Sequence, residues 1–372
     1  MAAGSKRRIL LVIDNLMKAG AQRQAYLLLR GLKERGHDNH VLVLNDRVDE
    51  STHSAYLSVA EVEVIGKARL AAELGPIALL RRFRQKRPDV IITMLEVSDL
   101  LGRIAGRMYA RAAVVTSIRA RNAQKPAWWF WLDRLTMHWA DRVVFNSASI
   151  VEASKKTEGV RPHQVRVIPN GVELSPAGVL RADRGSLGIA EGSPIVLMAG
   201  RLDPQKRIEV LLAAMTRLSR ELAHTQLLIA GGGPLLGQLK SQSIDLGLGG
   251  NVQFLGQRTD LQSLLALADV FVLPSAWEGM PNVVMEAMAA GCPVIATRID
   301  GITELIPDES FGWLVTPDDA EELASALAEV LADRPQAQAR AARARERVAG
   351  LFDVNRMLEG YETLFEELAG AR

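Results

Sequence analysis

The chain predicts two α/β domains in tandem, each a parallel sheet with helices on both faces. Three observations carry this. First, at 372 residues the chain is too long for one ordinary core and suits two. Second, short β-rich runs alternate with helical stretches, the pattern of βαβ units. Third, the alternation lapses between Gly171 and Pro194, a stretch rich in Gly, Pro and Ser, and then restarts. Charge divides the same way: residues 1–184 hold 30 Lys+Arg against 18 Asp+Glu, and the remainder holds 15 against 25.

The elements follow in order. Ile9–Ile13 is an unbroken apolar run, as expected of a strand covered on both faces. Ala21–Arg35 places Ala25, Leu28, Leu29 and Leu32 on one helical face and ends at Gly36. Val41–Leu44 and Val62–Ile65 read as strands. Leu74–Lys86 reads as a helix halted by Pro88. Val90–Thr93, Val114–Ser117, Arg142–Asn146 and Val165–Ile168 are further strands, with a helix over Ser149–Lys156 between the last two. The second half repeats the scheme. Strands are expected at Ile195–Gly200, Gln226–Ala230, Val252–Leu255, Val270–Pro274 and Val294–Thr297. Helices are expected at Ile208–Leu222, Pro234–Leu246, Leu261–Ala268, Asn282–Ala290 and Ala320–Asp333. Ala337–Val348 reads as a helix with one solvated face. Val354–Leu368, apolar on one side, reads as a docked terminal helix. The expected boundaries are a first domain over 1–172, a linker over 173–193, a second domain over 194–350 and a terminal helix within 351–372.

Composition excludes several classes. Hydrophobic residues make up 48% and charged residues 24%, too apolar for a disordered chain. No apolar run approaches the ~18–20 residues of a membrane span. A single cysteine, Cys292, leaves no disulfide framework or cysteine metal cluster and fits a reducing cytoplasm. The basic first half suits an anionic acceptor or membrane surface, or else is a solvated Arg-rich domain. The same choice attaches to Arg81-Arg82-Phe83-Arg84-Gln85-Lys86-Arg87 and to Trp128-Trp129-Phe130-Trp131. They form an interfacial surface peripheral to a membrane, or a solvated helix face and a packed aromatic helix. His138 reads as structural.

Chemistry concentrates in Ser275–Thr297. A buried strand ends just before it, and ligands of open α/β sheets sit at the carboxyl ends of strands. Glu278 falls in the loop, Asn282 is a good helix N-cap, and Glu286 lies about one turn into the helix. Gly291 ends that helix. Two carboxylates and a helix N-terminus thus converge. The helix end suits a phosphate, and the carboxylates suit paired sugar hydroxyls. Taken singly, Glu286 could merely complement the helix dipole and Glu278 could be a surface residue. The Gly231-Gly232-Gly233-Pro234 turn is not the Gly-x-Gly-x-x-Gly of dinucleotide binding, which argues against an oxidoreductase. Nor does an Asp-x-Asp motif occur, so a metal-clamped diphosphate is not indicated.

The spacing of Glu278 and Glu286, with Gly279, Pro281, Asn282 and the run Glu286-Ala-Met-Ala-Ala-Gly-Cys-Pro-Val-Ile-Ala, resembles the Glu-x7-Glu motif of family 4 retaining glycosyltransferases. Ala19-Gly20-Ala21-Gln22 resembles that family's glycine loop. Asn146-Ser147 and Ile168-Pro169-Asn170-Gly171-Val172 resemble the end of its first domain, and Gly200-Arg201-Leu202 with Lys206 its diphosphate site. The resemblance implies the GT-B fold: two Rossmann-like domains facing a cleft, with the terminal helix docked back on the first. It also implies roles. Arg201 and Lys206 would bind the diphosphate, and Glu286 the ribose. Glu278 would contact the transferred sugar beside the backbone of Gly279, Met280, Pro281 and Asn282. Gly20 would approach the donor. Gly256-Gln257-Arg258 follows another expected strand, which puts Arg258 where it could stack on or bond the base. Arg201, Lys206 and Glu278 would be the catalytic group. Many relatives carry a histidine where this chain has Arg119, which would face the sugar or acceptor.

The implied reaction is front-face transfer of a sugar from a nucleoside diphosphate, by family default UDP, to a hydroxyl of a lipid-linked or surface-polysaccharide precursor. It would need neither a metal nor a prosthetic group. The rivals are a nucleotide-sugar epimerase and a non-catalytic nucleotide-sugar-binding relative on the same scaffold.

Overall fold

The computed structural model describes residues 6–119, 125–174, 180–218 and 222–370. The middle of the expected linker, 175–179, and residues 219–221 of the helix expected over Ile208–Leu222 lie outside them; that helix already ends at Met215, short of the expected boundary. Two compact units form, one of residues 1–171 with 354–372, the other of 172–353.

Unit 1 runs β1 (Arg8–Ile13), α1 (Gly20–Glu34), β2 (Asp38–Val43), α2 (Glu50–Leu57), β3 (Glu61–Val64), α3 (Lys67–Ala72), α4 (Pro76–Lys86), β4 (Val90–Met94), α5 (Glu96–Tyr109), β5 (Ala113–Ile118), α6 (Ala127–Thr136), β6 (Arg142–Phe145), α7 (Val151–Glu158) and β7 (Val165–Val167). Its seven strands are all parallel, in the order β3-β2-β1-β4-β5-β6-β7. In parallel strands, side chains alternate between the two faces. Ile9, Leu11 and Ile13 face α1 and the terminal helix, whereas Leu10 and Val12 face α4 and α5.

Unit 2 runs β8 (Ile195–Ala199), α8 (Ile208–Met215), β9 (Gln226–Ala230), α9 (Leu236–Asp245), β10 (Val252–Gly256), α10 (Leu261–Leu267), β11 (Val270–Leu273), α11 (Asn282–Ala289), β12 (Val294–Thr297), α12 (Ile302–Leu305), β13 (Trp313–Val315), α13 (Ala320–Ala332) and α14 (Arg334–Leu351). Its six strands are parallel in the order β10-β9-β8-β11-β12-β13. The last helix, α15 (Val354–Gly370), returns to unit 1. It buries Leu358, Tyr361, Leu364, Phe365 and Leu368 against that unit's core, beside α1.

Three expectations are corrected. α5 was not foreseen, nor were α2, α3, α12 and β13. The Leu74–Lys86 helix starts only at Pro76, because Leu74 takes a left-handed φ of 58°. Asn282 is the first residue of α11 rather than its cap; Pro281 holds the cap position in an extended conformation.

Candidate active site

In unit 2 the chain leaves β8 toward β9 and β10, then returns to β11 on β8's other side. Neighbouring strands thus feed loops that diverge, and their carboxyl ends open a crevice. The segment after β8 carries Arg201 through Lys206. The segment after β11 carries Ser275 through Asn282. Strand order alone therefore brings these two sequence-distant segments together.

Their side chains interlock. Lys206 Nζ donates to Glu278 Oε1 at 2.5 Å, with side chains only 13% and 9% exposed. Ser275 Oγ donates to the same oxygen at 2.7 Å. Gln205 Nε2 donates to Glu278 Oε2 at 3.3 Å and to the Trp277 carbonyl at 2.7 Å. The Ala276 N–H returns a bond to the Gln205 carbonyl at 2.9 Å. Ser275 is itself fixed, its carbonyl accepting from Thr297 Oγ1 on β12 at 2.5 Å. A charge pair so far out of water persists only where such hydrogen bonds surround it. Lys206, foreseen as a phosphate ligand, and Glu278, foreseen as a sugar ligand, are therefore held as one unit. Gln205 and Ser275 were missed; polar residues next to both motif positions were the only available signal.

The loops are pressed backbone to backbone. A Cβ on Gly231 would sit 1.8 Å from the Gly200 carbonyl oxygen, which explains the glycine turn after β9. Gly301, at φ 77°, would bring a Cβ within 1.5 Å of the Gly279 oxygen, so the loop holding Glu278 rests on the start of α12. Met280 and Pro281 are buried there, and Asn282 is half-buried. Glu286 is 5% exposed on α11. A carboxylate that far out of water is no mere surface complement to the helix dipole. Arg201 is the opposite case: its side chain is 71% exposed, and among the described residues it faces Asp203 at 3.7 Å. Such a surface pair is worth little, which leaves the guanidinium easily redirected to an anion.

Residues 19–176 match the family model described as Glycosyltransferase Family 4. Residues 181–347 match that of Glycosyl transferases group 1. The lipopolysaccharide core biosynthesis glycosyltransferase LpsE of Rhizobium meliloti is 31% identical over 92% of this chain and 94% of its own. The chain belongs to glycosyltransferase family 4. An Escherichia coli relative of this glycosyltransferase, UDP-Gal:alpha-D-GlcNAc-diphosphoundecaprenol alpha-1,3-galactosyltransferase, is 30% identical over 69% of this chain and 70% of its own. For the fold, the crystal structure of Anabaena HepE with UDP and glucose aligns at a TM-score of 0.85. Its identity is 22% over 98% of this chain and 100% of that one. Sucrose-phosphate synthase of Thermosynechococcus elongatus aligns at 0.81 and 24% identity, over 99% of this chain and 100% of that one. These are GT-B glycosyltransferases, and the two parallel sheets of this family 4 glycosyltransferase are that fold.

Other foreseen residues are carried by other elements. Gly20 opens α1 in unit 1, with Ala19 extended at its cap. Arg119 uses all three guanidinium nitrogens within unit 1: Nε to Ser117 Oγ at 2.9 Å, Nη1 to Asn170 Oδ1 at 2.6 Å and Nη2 to the Tyr361 hydroxyl at 2.9 Å. It ties β5 to α15. Arg258, foreseen near the base, forms a two-pronged pair with Asp260 at 2.8 and 2.6 Å. The basic stretch on α4 needs a correction. Arg82 is buried, bonded to Glu63 at 2.8 Å and Glu73 at 2.7 Å, so it meets no membrane. Lys86 turns to Glu61. Arg81, Arg84 and Arg87 remain exposed. No helix among the described residues is long and apolar enough to cross a membrane.

Proposed function

We propose that this glycosyltransferase moves a hexose-type sugar from a UDP-sugar, with retained anomeric configuration and without a metal, to a hydroxyl of a lipid-linked or surface-polysaccharide precursor in the cytoplasm. The observation that carries this reading is the Lys206–Glu278 pair at the crevice between β8 and β11, braced by Gln205 and Ser275. It presents a fixed cation and a fixed carboxylate where a sugar diphosphate would lie. The donor relationships of the E. coli relative and HepE support UDP.

In this reading Arg201 and Lys206 bind the diphosphate and stabilise the charge it gains as the glycosidic C–O bond breaks. Glu286 accepts hydrogen bonds from the ribose hydroxyls. Glu278, with the backbone of Gly279 through Asn282, orients the sugar. Gly20 lies close to the donor. The acceptor oxygen bonds to the sugar carbon on the face the phosphate leaves, and its proton passes to the departing phosphate oxygen. No side chain is the nucleophile.

The ribose assignment has a direct test. Glu286→Ala removes hydrogen bonds to a charged acceptor, about 1.5–3 kcal/mol. Titration calorimetry should therefore show UDP affinity falling by roughly tenfold or more. Unchanged affinity would remove Glu286 from the site.

A further inference from the structure

Arg207 follows Lys206 directly and turns the chain from the short 3-10 turn Pro204–Lys206 into α8. It does so at φ 48° and ψ 40°, in the left-handed region. There a Cβ crowds the neighbouring carbonyl oxygen, so any side chain raises the energy of the turn above that of glycine. Asp318 bears the same cost just ahead of α13, at φ 63°. The Asp319 N–H donates to the Thr316 carbonyl at 3.3 Å across Pro317 and Asp318. That puts Asp318 at the position where a type II turn favours glycine. Among the described residues of unit 2, Arg207 and Asp318 are the two non-glycine residues with positive φ.

These two residues touch. Arg207 Nε lies 2.9 Å from Asp318 Oδ1, and its Nη1 lies 3.6 Å from Glu209 Oε1. Nε is closed off from solvent, and its contact with Asp318 is one of charge rather than an aligned hydrogen bond. Helices α8 and α13 pack on each other, so the pair ties together the entries of two neighbouring helices. Stability does not account for it. The Asp318 side chain is 55% exposed, an ion pair so placed adds little, and glycine would make either turn without strain. Strained residues of this kind gather where a neighbouring site needs a fixed geometry. The neighbour here is Lys206, whose Nζ meets Glu278 Oε1 at 2.5 Å.

We propose that Arg207 and Asp318 are positioning residues. Their contact holds Arg207 left-handed, and the backbone so fixed keeps Lys206 aimed at Glu278. Neither side chain needs to touch the donor. The proposal rests on the transferase reading only for what Lys206 does; its aim can be measured without any substrate.

The test is acylation of the Lys206 amine in the full chain by an N-hydroxysuccinimide ester of acetate, followed by peptide mass spectrometry well below the melting temperature of each variant. Lys240 on α9, which is exposed, is the reference and should react alike in all. Lys206 reacts only when it leaves Glu278. In Arg207→Ala the left-handed cost remains and the contact is gone, so Lys206 should react about tenfold faster. Arg207→Gly also lacks the contact but makes the turn freely, so the rate should return to within about twofold of wild type. Asp318→Asn tolerates its turn but carries no charge, and should speed the reaction about threefold. The proposal is overturned if Arg207→Ala leaves the Lys206 rate unchanged, if Arg207→Gly raises it as far as Arg207→Ala, or if Asp318→Asn has no effect. UDP titration separates this from the donor reading. Affinity should follow the Lys206 rates and be weakest in Arg207→Ala. Rates that change as expected while UDP affinity stays constant would support the positioning pair and remove Lys206 from the donor site.

Discussion

Gln205 shows most clearly what a single residue does here. Its backbone carbonyl takes the Ala276 N–H, and its amide holds both the Trp277 carbonyl and Glu278. It splints the loop after β8 to the loop after β11. Gln205→Ala should leave UDP affinity within about threefold while kcat falls up to roughly tenfold, the worth of one hydrogen bond that positions rather than binds. An unchanged kcat would show that Lys206 and Glu278 hold their places unaided. The motif residues were legible because their spacing is unusual. Gln205 was not, because its role depends on a contact with residues about seventy positions away that only strand order creates. Arg119 shows the same limit. Its match to a histidine position of the family suggested a contact with sugar or acceptor, and no local pattern announced its bonds to Ser117, Asn170 and Tyr361. The Tyr361 partner lies on α15, far along the chain.

At the scale of elements, α5 explains why part of the fold escaped notice. Its cap is Leu95, at φ 79° and ψ 167°, with no local capping side chain. The orphan N–H groups of its first turn go instead to Asp14 at the end of β1, from Ser98 at 2.6 Å and Val97 at 3.2 Å. A start signal placed that far away in sequence leaves nothing local to read. α15 was legible for the opposite reason: its apolar residues recur at helical spacing and bury one face. The first turn of α5 also sets a pH dependence. Burial pushes Asp99 well above the usual carboxylate range, against the nearby Arg103, which pulls it down. Its Oδ1 is shut from solvent and finds no partner among the described residues. The folded chain thus holds this proton more tightly than the unfolded one. The resulting stability is fully present below the unfolded pKa of about 3.9 and is lost as pH rises through the raised folded value. Asp99→Asn should therefore be more stable than wild type at neutral pH in urea unfolding, with the difference vanishing in acid. A variant less stable at neutral pH would mean that the Asp99–Arg103 attraction outweighs burial.

Over the whole molecule, the two parallel sheets could be read in advance because buried parallel strands are unbroken apolar runs, and nearly all of these runs fell where expected. β13 escaped because it is only Trp313–Val315, too short to show a period. The charge division of the sequence also gains a place. The surplus of basic residues in the first half gathers in part on the outer face of α4–α6, while unit 2 keeps its key cation, Lys206, paired at the site. Binding of a nucleoside diphosphate should stabilise the chain by mass action, by about 2.7 kcal/mol when ligand is at 100 times its dissociation constant. The measurement to make is thermal unfolding with UDP, GDP, ADP and NAD, each with a chelator present. A rise in melting temperature with UDP and none with NAD is the expected result. A rise with NAD alone, or with none of the four, would contradict a UDP-sugar site built on Lys206, Glu278 and Glu286.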